Sequence, residues 1–414
     1  MTASWITVRI SDTDTRLRNT IQFMPPKRIL LISYYFPPDL AAGSFRAEAL
    51  LNALVERAGS GVELQLIAAS PSRYSSFLIE AAGAERYRGV QIRRINVPVL
   101  GASLLAQSLR HLLFSLRLLL LLRGSRYDIV VASSSRLMTA AVGGMIARLV
   151  GAHLYLDIRD IFTETLSELY PSQLFSPLHR LLRYVERKTL SSAYYVNFVS
   201  KGFWPYFKEL SLSASTSFHT NGIDNAFLAA NWSETPVEKT IPEVLYAGNI
   251  GEGQGLHRLL PALAESNADR FRFAVIGDGG KLHLLREECE RRGLSNVIFL
   301  PPMSRLELIE RYKQADVLFL HLNDLLAFQR VLPSKLFEYA ATGKPILAGV
   351  SGHARQFIER NIPGVELFPP CDVLAAKKAL ASIELSSVDR SEFCRLFSRS
   401  HIMDKMAKEI LAIE

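Results

Sequence analysis

Short apolar runs that end in proline, glycine or small polar residues, each followed by a stretch of helical spacing, recur along the chain. The first is "KRILLISYYFPP" (27–38), followed by "DLAAGSFRAEALLNALVER" (39–57), whose apolar positions repeat at three and four. Further strands are predicted at 62–70, 90–98, 127–135, 152–160 and 193–200, with helix-like stretches between them. A second series opens after "TNGIDNAF" (220–227) and a polar segment, with strands at 243–250, 271–279, 297–303, 315–322 and 344–350. Alternation of β and α predicts parallel sheets covered by helices on both faces. The chain divides into an N-terminal extension (1–26), a first domain (27–222), a linker (223–239), a second domain (240–395) and a C-terminal helix (396–414). That last helix has no strand after it and is expected to return to the first domain.

At 414 residues, with 49% hydrophobic and 21% charged residues, the chain is long enough for two folded domains. Its three cysteines, Cys289, Cys371 and Cys394, are widely spaced without a CxxC pair, which suggests neither a disulfide framework nor a zinc site and favours a reducing compartment. No charged start followed by an apolar run marks a signal peptide. The formal net charge is +8, and the stretch from Arg86 to Tyr127 holds eight arginines and no acid. Within it, 104–126 is rich in leucine but too short in its uninterrupted apolar run to span a bilayer. Arg110, Arg117 and Arg123 beside a leucine face suit an anionic membrane surface, and also suit an ordinary amphipathic core helix. No nucleic-acid motif accompanies the charge, so no nucleic-acid partner is expected.

Four loops at strand-to-helix junctions carry small or flexible residues: "AAGSFR" (41–46), "AGNIGEGQG" (247–255), "IGDGGK" (276–281) and "VLPSK" (331–335). Glycine there lets backbone amides approach a ligand. A dinucleotide fingerprint is absent, since Gly251, Gly253 and Gly255 are followed by Leu256 where GxGxxG needs glycine, and there is no GxxxxGK[ST]. In "LPSKLFEYAATGKPIL" (332–347), Pro333 suits a first helical turn and Gly343 a C-terminal cap, which predicts a helix over 333–342. Lys335 and Glu338 lie three apart on one face. They form either a surface ion pair or a ligand pair, with the lysine for a diphosphate and the carboxylate for two ribose hydroxyls. "DIRDIFTE" (157–164) gathers Asp157, Arg159, Asp160 and Glu164 at a strand's carboxyl end, as catalytic groups or as an Arg–Asp network that shapes the loop.

"PSKLFEYAATGKPIL" resembles the segment of retaining GT-B glycosyltransferases, of the glycosyltransferase 4-like kind, in which a glutamate holds the donor's ribose. "YAGNIGEGQGLHRLL", "SYYFPPDLAAGSFR", "DIRDIFTE", "FVSKGF" and "TNGIDNAF" resemble signatures of one subgroup, the bacterial O-antigen, capsule and colanic-acid enzymes similar to N-acetylfucosaminyl transferases. The resemblance implies an α/β GT-B fold of two doubly wound Rossmann-like domains facing a cleft. It implies transfer of a sugar from a nucleotide-sugar donor, UDP rather than GDP, to a lipid-linked, polyprenyl-diphosphate saccharide acceptor, with retention and without a metal or other cofactor. The expected donor contacts are Gly43, Ser44, Asn249, Gln254, Gly277, Lys335 and Glu338; the expected catalytic groups are Asp157, Arg159 and Asp160. Localisation follows as cytoplasmic, peripheral on the inner face of the membrane through 104–126. The family often places a glutamate eight residues before the ribose glutamate, and here that position is Arg330. A nucleotide-sugar epimerase of the same shape and a non-catalytic membrane scaffold stay open beside the transferase.

Overall fold

The computed structural model describes residues 26–71, 82–98, 104–134, 136–169, 175–210, 213–232 and 239–414. The expected N-terminal extension, Pro26 apart, and Ser135 of the predicted strand 127–135 lie outside them.

The first domain is built on a sheet whose eight strands, among the described residues, run β3-β4-β2-β1-β5-β6-β7-β8. Their ranges are β1 Lys27–Ser33, β2 Val62–Ala69, β3 Ala84–Tyr87, β4 Val90–Ile95, β5 Ile129–Ser134, β6 His153–Ile158, β7 Tyr195–Phe198 and β8 Ser215–Ser217. All pairings are parallel except β3 with β4. The second sheet runs β11-β10-β9-β12-β13-β14 and is wholly parallel, with β9 Glu243–Ala247, β10 Arg272–Ile276, β11 Val297–Leu300, β12 Val317–His321, β13 Ile346–Gly349 and β14 Val365–Phe368. Strands such as "IVVASS" are buried at every position because helices cover both faces. Short β3, β8 and β14 were not expected from the sequence.

Each sheet is sandwiched between two apolar layers. In the first domain one layer is formed by α2 (Leu104–Leu121) and α3 (Leu137–Val150), with α5 (Ser176–Ser191) beside α3. The other is formed by α1 (Ala42–Ala58) together with α16 (Arg399–Leu411) from the far end of the chain. Met403, Met406, Ala407 and Ile410 of α16 are fully buried against α1 and the sheet. Burying each of the larger three is worth about 1.5–3 kcal/mol. Lys27 Nζ caps the end of α16, donating to the carbonyls of Leu411 at 3.1 Å and Ile413 at 2.6 Å. The crossing of the chain between domains is fixed by Arg399, which donates to Gly222 O at 2.9 Å and Asp224 Oδ2 at 2.8 Å.

Candidate functional site

The carboxyl ends of both sheets face one another, and a cleft of about 210 Å³ lies between them. Leu40, Ala41, Ala42 and Phe45 line it from the first domain; Gly248, Asn249, Gly277, Arg305, Lys335 and Glu338 line it from the second. Lys335 and Glu338 belong to α12, which spans Lys335–Ala341, so Pro333 precedes the helix rather than opening it, while Gly343 takes the left-handed conformation at φ 71°. Burial of Leu336, Phe337, Tyr339 and Ala340 pins the other faces of α12 in the core and leaves these two side chains turned to the cleft.

The floor beneath them is made of glycine for a steric reason. At Gly248 (φ 143°) a Cβ would overlap Cε and Nζ of Lys335, and at Gly277 (φ 138°) it would overlap the carbonyl oxygen of Gly248. The lysine therefore lies flat across β9's end, its Nζ 5.2 Å from the Tyr246 ring centroid. Burial raises the Glu338 carboxyl above its ordinary range, opposed by Arg305 and then by Arg399 and Lys335. Among the described residues no group donates a hydrogen bond to that carboxylate. A half-buried acceptor with open lone pairs beside two cations is suited to a ligand's paired hydroxyls.

The loop from 249 to 255 is held from behind. Asn249 Nδ2 donates to Gln254 Oε1 at 2.8 Å, and Gly251 N donates to the same oxygen at 3.2 Å. Buried His321 bonds through Nδ1 to Gln254 O at 2.6 Å, and Asn323 donates to Glu252 O at 2.9 Å. Burial pushes the His321 imidazole down to about 4, so it is neutral and donates from Nδ1. Gln254 thus shapes the loop while Asn249 reaches the cleft.

On the first domain the expected residues are placed differently. Gly43 and Ser44 are buried and the cleft is lined instead by Leu40 to Ala42 and by Phe45. A Cβ at Gly43 would meet the end of the Arg159 side chain, which would have to move aside. Asp157 is 0% exposed. Both of its oxygens are taken by Arg46, at 2.8 and 2.9 Å, with Asn197 Nδ2 at 2.7 Å and Ser133 Oγ at 3.2 Å. Burial opposes its charge, yet the Arg46 guanidinium holds the carboxyl below its ordinary range. Asp157 is accordingly the buried half of an internal network, as the second reading of "DIRDIFTE" had it. Asp160 stays exposed and Arg159 half-buried, neither lining the cleft.

Arg305 was missed in the sequence. It opens α10 (Arg305–Gln314), after a Ser304–Glu307 capping box, its guanidinium carbon 3.7 Å over the Phe45 ring of the opposite domain and paired with Asp224. The capping box directly after a strand was the available signal for a helix start at the cleft. Arg330 does not line the cleft. Its guanidinium bonds Glu164 of α4 (Phe162–Leu169) at 3.2 Å, and its carbonyl accepts from Ser200 Oγ at 2.6 Å, so it ties the two domains together.

Residues 231–397 match the family profile described as glycosyl transferases group 1, and residues 45–214 match that of the glycosyl transferase 4-like domain. The chain is 36% identical over 113 residues, 27% of each chain, to an Escherichia coli K12 protein named as the colanic acid biosynthesis glycosyl transferase WcaI. It is 26% identical over 336 residues to a Pseudomonas aeruginosa protein named as the glycosyltransferase WbjE, covering 73% of this chain and 78% of that one. Among solved structures, Anabaena Alr3699/HepE in complex with UDP-glucose superposes with a TM-score of 0.64 at 15% identity, covering 93% of this chain and 100% of the other.

Proposed function

From a chain that joins a glycosyl transferase 4-like domain to a group 1 glycosyl transferase domain in the GT-B arrangement, we propose a retaining transferase acting in bacterial cell-surface polysaccharide synthesis. It moves a sugar from a nucleotide-sugar donor, a UDP-sugar in this reading, to a saccharide carried on a polyprenyl diphosphate. The observation that carries the reading is the pairing of Lys335 and Glu338 on one short helix over the Gly248–Gly277 floor, both turned into the cleft between domains. The glutamate accepts from both ribose hydroxyls, and Lys335, with Arg305 close by, meets the negative charge that grows on the departing diphosphate. Stabilising that charge is the larger part of the chemical task. The UDP-glucose bound by the Anabaena structure supports the donor class. Asp160 and Arg159, at the end of β6, are the groups proposed for the acceptor side. Asp157 is proposed to act by holding β6 to α1.

Calorimetric titration of UDP, GDP and dTDP into the protein and into Glu338→Ala tests this. UDP is expected to bind and the variant to lose at least a hundredfold in affinity, since two charge-assisted hydrogen bonds at about 1.5–3 kcal/mol each are removed. Equal binding by the variant, or none by the parent, would sink the donor site. Because burial raises the Glu338 carboxyl, nucleotide affinity should fall as pH drops towards its raised value.

The membrane part of the reading rests on three neighbouring helices. Leu109, Leu112, Leu116 and Leu120 on α2, Met145 and Leu149 on α3, and Leu178, Leu181 and Tyr184 on α5 are all exposed. Arg117, Arg148, Arg180, Arg183, Arg187 and Lys188 surround them, and the only acid on these helices, Glu186, is buried. Apolar side chains ringed by cations without exposed acids fit an anionic membrane surface. No helix among the described residues is long and apolar enough to cross a membrane. Leu116→Asp with Leu120→Asp is expected to release the protein from vesicles containing phosphatidylglycerol; unchanged co-sedimentation would refute the surface.

A further inference from the structure

α2 was expected to present Arg110 outwards with Arg117 and Arg123, but the structure turns it in. Arg110 is 7% exposed and His111 4%, on the same side of α2 as buried Phe114, Leu118 and Leu122. Nε and Nη2 of Arg110 and Nε2 of His111 are buried without a hydrogen-bond partner. The His111 ring stacks on Tyr34 at 3.8 Å between centroids, just beyond the end of β1, and its Nδ1 bonds Gln107 O at 2.9 Å. Arg136, between β5 and α3, bonds the Gln107 side chain. Arg110 and Arg136 both act on the Tyr34 hydroxyl and on His111, and the Tyr34 hydroxyl also feels Tyr35 and Asp39. Among the described residues neither arginine forms an ion pair.

Arg110 is buried with open donors, and Arg136 meets the same helix one turn earlier through Gln107; cations so placed are costly to the fold unless an anion joins them. The N-terminal ends of α2 and α3 face the same edge of the sheet and favour negative charge there. We propose that Arg110 and Arg136, with His111, form a site for the phosphate or diphosphate group of the acceptor, at the carboxyl edge of the first domain. This deepens the reading above and rests on its phosphorylated-lipid acceptor. The same helix then carries both parts of such a ligand: the head group meets Arg110 on the inner face of α2, while the outward leucines at 109, 112, 116 and 120 accompany the chain of the lipid. Guanidinium suits the task because its fork matches two phosphate oxygens at once.

Inorganic pyrophosphate is titrated into the Lys335→Ala protein, in which the proposed donor lysine is absent. Binding is expected there, and at least a tenfold loss on adding Arg110→Met. The melting temperature should hold or rise, because an unpartnered cation leaves the core. Arg136→Gln, at a half-buried position, is expected to weaken binding as well and decides the matter if Arg110→Met fails to fold. No binding to Lys335→Ala, or affinities within twofold across these variants, would overturn the site whatever UDP does at Glu338. Farnesyl diphosphate binding at least tenfold tighter than pyrophosphate, with the excess removed by Leu116→Asp, assigns the phosphate to a lipid; equal affinity assigns it to a soluble phosphate ester.

Discussion

Lys335→Ala should lower turnover by about 10²–10³-fold, the range found when one preorganised donor to a developing anion is removed. Lys335 lies over Gly248 at the cleft's floor, in the space that the absence of a Cβ leaves. In the proposed reaction no solvent reorganisation would be needed as the diphosphate departs, so a preplaced cation would be worth more here than a mobile one at the surface. Lys335→Arg should not restore the rate, since a planar fork does not fit the slot that the single ammonium occupies. Steady-state rates of transfer, or of slow donor hydrolysis, measure this. A kcat within threefold of the parent would remove the lysine from the leaving-group role and pass it to Arg305, which shares the cleft.

Asp157→Ala should cost about 3–5 kcal/mol of stability, because it strands the Arg46 guanidinium at 2% exposure without its bidentate partner. Arg46 also donates to the carbonyls of Thr220 and His219, both at 2.8 Å, so its loss of anchorage loosens the passage between domains. The joint replacement Arg46→Met with Asp157→Leu should cost less than Asp157→Ala alone, since no charge is then left buried. The pH dependence has a definite sign. The folded pKa of Asp157 is held below its ordinary 3.8, so its contribution is fully present above about pH 4 and is lost as pH falls through the lowered value. Urea unfolding followed in parallel with activity checks both. An Asp157→Ala protein that keeps its unfolding midpoint yet loses turnover would return this residue to the catalytic group.

Local signals in the chain determine the alternation of strand and helix, the two-sheet architecture and the glycine loops, because these rest on periodicity and turn chemistry within about ten residues. Lys335 and Glu338 were legible for the same reason, as one helix face bounded by Pro333 and Gly343. What the tertiary structure decided is where each charged group points. Asp157 and Asp160 lie three residues apart in one motif, yet the first is enclosed by Arg46 and Asn197 and the second is exposed. Arg110 reads like its neighbours Arg117 and Arg123 and is turned into the core, because the face of α2 that meets the sheet runs through His111, Phe114 and Leu118. Arg305 and Phe45 lie 260 positions apart and meet only when the domains face each other. Periodicity fixes which residues share a face. Only packing decides which face is covered, and by which distant partner a buried charge is met.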